Sequence, residues 1–134
     1  MIGMDNELKE MVLDYMEKGF LDNIIDMFKY DENLFPLIID MIKDDRVRVR
    51  IGVIALVEEI LKFNKGALVR LIPDIANLLN DRNPNIRGDS AYLLDIIGDK
   101  GALPYLMAAI DDEDKNVREI VRDAINNLNK IKIN

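Results

Sequence analysis

Read for its apolar positions alone, the chain opens with two helix-like stretches and then repeats a design three times. Between Asp5 and Lys18, Leu8, Met11, Val12, Tyr15 and Met16 recur at intervals of three and four, which predicts an amphipathic helix. Gly19 stands where a helix-ending glycine belongs. A second stripe, Leu21, Ile24, Ile25 and Phe28, predicts a helix to Tyr30, with Asp31-Glu32-Asn33 as its polar exit. Beyond it, short apolar helix patterns alternate with longer ones across polar turns. Aligned on Arg50, Arg87 and Arg118, the longer segments carry Val49, Ile86 and Val117 at offset −1 and Val53, Ser90 and Val121 at +3. Leu56, Leu93 and Ala124 follow at +6, Val57, Leu94 and Ile125 at +7, and Ile60, Ile97 and Leu128 at +10. Only Ser90 is polar, and the offsets trace one face of a helix. The shorter segments match in the same way, Ile38, Ile39, Met41 and Ile42 with Ile75, Ala76, Leu78 and Leu79, then with Leu106, Met107, Ala109 and Ile110.

Three landmarks keep the copies in register. Pro36, Asp44 and Arg50 are spaced by 8 and 6 residues, as are Pro73, Asp81 and Arg87, and again Pro104, Asp112 and Arg118. The period is 37 from Pro36 to Pro73 but 31 from Pro73 to Pro104. The six additional residues are expected to lengthen the helix ending near Asn64 and the turn at Lys65-Gly66. Asn83-Pro84 reads as an N-cap followed by a first-turn proline, Asp114 or Asn116 can cap the last helix, and Gly98 and Gly101 bracket the Asp99-Lys100 turn. The pattern predicts an all-α solenoid of about eight helices in four antiparallel pairs, a single domain over 1–134. Residues 1–33 form a degenerate N-terminal capping hairpin, and 34–66, 67–99 and 100–134 form the repeats.

The order Pro, eight residues to Asp, six to Arg, flanked by apolar helix stripes, resembles HEAT repeats. The stretch GALPYLMAAIDDEDKNVREIVRDAI is similar to the short HEAT-like class also found in phycobilisome bilin lyases. Tetratricopeptide and ankyrin repeats have comparable periods, but their signatures are absent. The resemblance implies an α-α superhelix of the HEAT/armadillo type in which a ladder of Asp44, Asp81 and Asp112 with Arg50, Arg87 and Arg118 ties neighbouring repeats. A carboxylate ahead of a helix start also faces the positive end of the dipole, and a guanidinium offers it planar donors.

Composition narrows the chemistry. The chain has no cysteine and no histidine, which removes the thiolate nucleophile, the imidazole base and the usual zinc ligands together. No catalytic residue, cofactor or metal is expected, and the protein is read as a non-enzyme. A net charge of −7 disfavours binding to a phosphate backbone, which depends on Lys and Arg displacing counterions. The longest apolar run, Ile51 to Val57, is too short to cross a bilayer, and Met1-Ile2-Gly3-Met4 leads into Asp5, Glu7 and Glu10 without the basic and apolar regions of a secretory leader. A cytoplasmic location follows as the expectation.

Several motifs invite a functional reading and each has a plainer one. Asp112, Asp114 and Asn116 have the first spacings of a calcium-binding loop, but Val117 stands where its glycine is required and Asp123 where its glutamate belongs, so a polar repeat turn is expected. Arg87-Gly88-Asp89 spells a cell-adhesion tripeptide, although Arg87 already belongs to the ladder. Met11, Met16, Met27, Met41 and Met107 read as core filling. Because second helices line the concave face of HEAT arrays, the positions left over from the apolar stripe define a candidate docking surface: Glu58, Tyr92, Asp95, Asp123 and Asn126, with Glu59, Asp89 and Glu119 beside them. This face is expected to be acidic, with Tyr92 as an aromatic anchor for a basic segment of another protein. Two alternatives are a bilin-lyase-like or small-ligand chaperone activity and a nucleic-acid-binding array, the latter disfavoured by charge. The chain is expected to be a monomer or, through Ile131 and Ile133 at its uncapped end, a weak homodimer.

Overall fold

Sequence periodicity becomes helix throughout. A computed structural model describes residues 6–132, so the expectations for Met1 to Asp5 and for Ile133 fall outside the described residues. Nine α-helices and no strand occur among the described residues, an all-α helical-repeat fold of the solenoid class. The chain resolves into two compact units, Met1–Asn64 and Lys65–Asn134.

The first unit contains α1 (Asn6–Lys18), α2 (Leu21–Tyr30), α3 (Leu37–Lys43) and α4 (Val47–Ile60). Gly19 adopts φ 86° between α1 and α2, a backbone state that glycine enters without the Cβ penalty. A 3-10 turn at Glu32–Leu34, opened by the Asp31 carboxylate accepting from the Asn33 amide at 3.0 Å, leads into α3. Both helices of the opening hairpin pack on α4, as does α3. The core of this unit joins Val12, Ile24 and Phe28 to Ile38, Met41, Leu56 and Ile60. The stripe on α1 is rotated from the expected one: Val12, Leu13 and Met16 are buried while Met11 is exposed.

The second unit contains α5 (Lys65–Arg70), α6 (Ile72–Asn77), α7 (Pro84–Ile97), α8 (Leu103–Ala108) and α9 (Lys115–Asn129). The six additional residues do not lengthen the preceding helix, because α4 and α7 have the same 14 residues. They form α5, a separate helix that buries Ala67 and Leu68 and packs on α6 and α7. Gly66, expected in a turn, lies inside α5. The sequence misleads here because Lys65-Gly66 carries a turn-like composition, whereas burial of Leu68 favours one more helical turn. Helices α7 and α9 pack against each other and each against its shorter partner, α6 or α8.

All fifteen positions of the second-helix stripe are buried, in α4, α7 and α9 alike. Ser90 fits because its hydroxyl donates to the Ile86 carbonyl one turn back at 2.7 Å, leaving no unsatisfied polar atom in the core. Asn83 caps α7 through the Asn85 amide with Pro84 in the first turn, and Asp114 caps α9 through the Val117 amide. Gly98 closes α7 at φ 72°. The third short helix is covered less well than the second: Met107 is 52 % exposed where its counterpart Ala76 is buried. Methionine pattern alone does not separate a core position from a surface one.

Candidate functional site

The regularly spaced aspartates share one local construction. Asp44 and Asp81 end a short helix or turn in extended conformation, and each of the three aspartates folds its carboxylate back onto the amide two residues ahead: Asp44 accepts from Arg46, Asp81 from Asn83 and Asp112 from Asp114, all at 2.9 Å. Such a turn satisfies the amide of the residue that opens the next helix. At Asp81 and Asp112 the arginine six residues later clamps the same turn. Arg87 donates to the carbonyls of Asp81 and Arg82 at 2.8 and 3.2 Å, and Arg118 to those of Asp112 and Glu113 at 2.7 and 3.2 Å. Arg50 lies half-buried at the same offset on α4.

In the second unit the clamp extends to the neighbouring copy. The Arg87 Nε and Nη2 donate to the two carboxylate oxygens of Asp112 at 2.9 and 3.0 Å, a bidentate pair whose side chains are 8 % and 9 % exposed. Planar guanidinium and planar carboxylate match in this geometry. Burial pushes the Asp112 carboxyl upward, yet the Arg87 hydrogen bonds, the Asp114 amide and the charges of Arg87 and Arg118 together hold it below the usual carboxylate range. The Asp112 hydrogen bonds raise the Arg87 guanidinium in turn. With Asp112 held by Arg87 and Asp114 engaged as an N-cap, the calcium-like spacing is spent on scaffold, and the buried Arg87 keeps Arg87-Gly88-Asp89 from acting as an exposed loop.

Asp44 departs from this arrangement. Its carboxylate is held by Arg46, through Nε at 2.9 Å and Nη2 at 3.1 Å, and Arg46 Nη1 also reaches Asp14 at 2.8 Å and Glu17 at 3.5 Å on α1. The Arg46 hydrogen bond holds the Asp44 carboxyl below its ordinary range. The reason lies in the preceding hairpin: Arg87 stands 25 residues before Asp112, and the residue 25 before Asp44 is Gly19. Arg46 occupies the N-cap position of α4 that Asn83 and Asp114 fill in α7 and α9. An arginine cannot cap, so its guanidinium is available to bridge. That exchange of a capping residue for arginine was the available sequence signal.

The candidate docking residues divide between the units. In the second unit, Tyr92 and Asp95 on α7 and Asp123 and Asn126 on α9 line one open groove of about 540 Å³, together with Ile120, Asn127 and Lys130, three residues the sequence did not single out. Tyr92 is 45 % exposed. Asn127 Nδ2 donates to the Asp95 carboxylate at 2.9 Å and fixes its orientation across the two helices. Asp89 lies instead in an adjacent depression with Asn85, Gly88, Asp114 and Asn116, while Glu119 is exposed on α9 outside the residues lining either. Lys130 makes the groove less uniformly acidic than the sequence implies. In the first unit, Glu58 and Glu59 border a different groove, between α2 and α4, with Asp22, Asp26 and Lys29. No cluster of three carboxylates or other ligating groups able to hold a metal ion occurs among the described residues, and none of their helices is long and apolar enough to cross a membrane.

Helix–turn–helix copies with a buried stripe on each long helix and an Asp/Arg clamp at each turn define a helical-repeat protein. Residues 35–126 match the family model for HEAT repeats, and the chain belongs to the HEAT-repeat family. The match is to HEAT repeats in general and does not single out the bilin lyase-type class. No curated protein matches the chain. HEAT repeats commonly serve as scaffolds for protein interaction and are generally non-enzymatic.

Proposed function

We propose that the protein is an interaction scaffold whose second unit docks a basic segment of another protein in the α7–α9 groove. The observation that carries the reading is the convergence of Tyr92, Asp95, Asp123 and Asn126 from two helices onto one open surface. An aromatic body supplies area at low cost in side-chain entropy. The carboxylates of Asp95 and Asp123 supply attraction for lysine or arginine and orient it on approach, while Asn126 and Asn127 add amide donors and acceptors. Within this reading the Asp/Arg clamps are scaffold: they hold the turns that set the spacing of the long helices and do not meet the partner.

The test is a pull-down from native cell extract with the wild-type chain and with the Asp95→Lys/Asp123→Lys variant as baits. Wild type is expected to retain a partner that elutes as salt is raised, and the variant to lose it while keeping its helical circular dichroism. A partner held equally by both baits, or indifferent to salt, would sink the assignment of this groove.

A further inference from the structure

The groove that α4 forms with α2, and at one end with α1, is built differently from the one just described, and it changes character along its length. At one end Met16 and Leu21 face Ile51, Gly52 and Ala55 over an almost wholly apolar surface. Gly52 lines it, and the Met16 methyl carbon packs so closely there that a Cβ would come within 2.7 Å of it. Ile51 stands 63 % exposed at its edge. Two charged residues border this end, Glu17, which accepts from Arg46 at 3.5 Å, and Arg48, which donates to the Glu17 carbonyl at 3.4 Å.

Leu21 and Ala55 continue into the second half, which Ile25, Asp22, Asp26, Lys29, Glu58 and Glu59 also line. Of the cations there, the Lys29 ammonium, which lines the groove, sits 5.7 Å from the centre of the Phe63 ring, and Lys62 pairs with Glu59 at 3.0 Å, so carboxylates outnumber cations. The side chains of Asp22, Asp26 and Glu58 form no ion pair or hydrogen bond among the described residues. An apolar trough running into unpaired negative charge fits one kind of occupant, because an acidic or wholly apolar segment would leave one half unmatched.

We infer that the α2–α4 groove is a second docking site, which takes a peptide segment with an aliphatic anchor followed by lysine or arginine. The anchor lies against Met16, Ile51 and Gly52, and the cations meet Asp22, Asp26 and Glu58. From Ile51 to Glu58 is seven residues of α4, a rise of about 10 Å. An occupant spans that distance with the cation about three residues beyond the anchor when extended, or about seven beyond it when helical. The site lies wholly within the first unit and does not depend on the α7–α9 groove.

The test is selection of a phage-displayed library of random twelve-residue peptides on the full chain. Labelled forms of the enriched peptides are then measured by fluorescence anisotropy against wild type, Ile51→Glu, Glu58→Lys and Asp95→Lys/Asp123→Lys. Ile51 and Glu58 are exposed, so both substitutions are compatible with folding, and an unchanged melting temperature verifies it. Enrichment of peptides with an aliphatic residue and a downstream Lys or Arg is expected. Their binding should weaken about tenfold or more in Ile51→Glu and in Glu58→Lys, and stay unchanged in the Asp95→Lys/Asp123→Lys variant. No enriched consensus, a consensus without basic residues, or binding indifferent to Ile51→Glu would overturn the inference. Loss only in the Asp95→Lys/Asp123→Lys variant would assign the peptides to the other groove and likewise overturn it.

Discussion

Replacing Asp112 with alanine removes the carboxylate that Arg87 grips with two hydrogen bonds, and strands a guanidinium that is 8 % exposed. Breaking a buried pair by deleting one partner costs about 3–5 kcal/mol, against about 0.2–1 kcal/mol for an exposed one. Two features soften the loss. Arg87 keeps its contacts to the Asp81 and Arg82 carbonyls, and Glu113, whose carboxylate lies 3.8 Å from Arg87 Nη2 and is 91 % exposed, is free to swing closer. The expected cost is therefore about 3 kcal/mol, at the lower end of that range. With a urea slope of about 1–3 kcal/mol per molar, the midpoint should fall by about 1 M or more. A double-mutant cycle with Arg87→Met isolates the pair from the carbonyl contacts, and a coupling of about 1–3 kcal/mol is expected.

The same pair sets a pH dependence. The folded state holds the Asp112 carboxyl below its ordinary range, so its contribution is complete above the unfolded carboxylate pKa of about 4 and is lost as pH falls through the lower folded value. The stability gap between wild type and Asp112→Ala should accordingly narrow on acidification below about pH 4. A cost under about 1 kcal/mol with no measurable coupling, or a gap that widens in acid, would refute the claim that this pair is buried and stabilising.

Three further outcomes follow from the packing. Leu94→Ala, at a fully buried position of the α7 stripe, should cost about 2–5 kcal/mol, whereas Asp81→Asn retains an oxygen able to accept from the Asn83 amide and should cost under about 1 kcal/mol; equal or reversed losses in urea would contradict the ranking. Arg46→Ala should destabilise by about 1–3 kcal/mol, chiefly through Asp44, whose side chain is 13 % exposed, because Asp14 and Glu17 are about half-exposed; a melting temperature unchanged from wild type would show that the bridge carries no weight. Gly98→Ala forces a Cβ into the left-handed conformation at φ 72° and should cost about 1 kcal/mol, readable as a lower thermal midpoint.

Sequence by itself determined the class of fold. Apolar residues recurring on one helical face specify which side of each long helix is buried, whatever it packs against, and all fifteen stripe positions are buried. Local chemistry fixed the caps as well, since Asn83, Asp114, Gly19 and Gly98 act within a few residues of themselves. Tertiary packing decided what periodicity cannot encode. Lys65-Gly66 became helix because Leu68 found a place on α6 and α7. Met11 and Met107 became surface because no element covers them in their own unit, although their spacing matches buried methionines. Arg87 took its carboxylate from 25 residues downstream, while Asp44 took its arginine from two residues away and, through Arg46, a link to α1. The candidate surfaces divide in the same way. The chain order announces acidic residues on second helices, but only the meeting of α7 with α9 puts Tyr92 beside Asp123, and only the meeting of α2 with α4 puts Asp22 across from Glu58. A periodic pattern specifies which face of a helix seeks burial. It carries no distance between helices, and grooves are made of those distances.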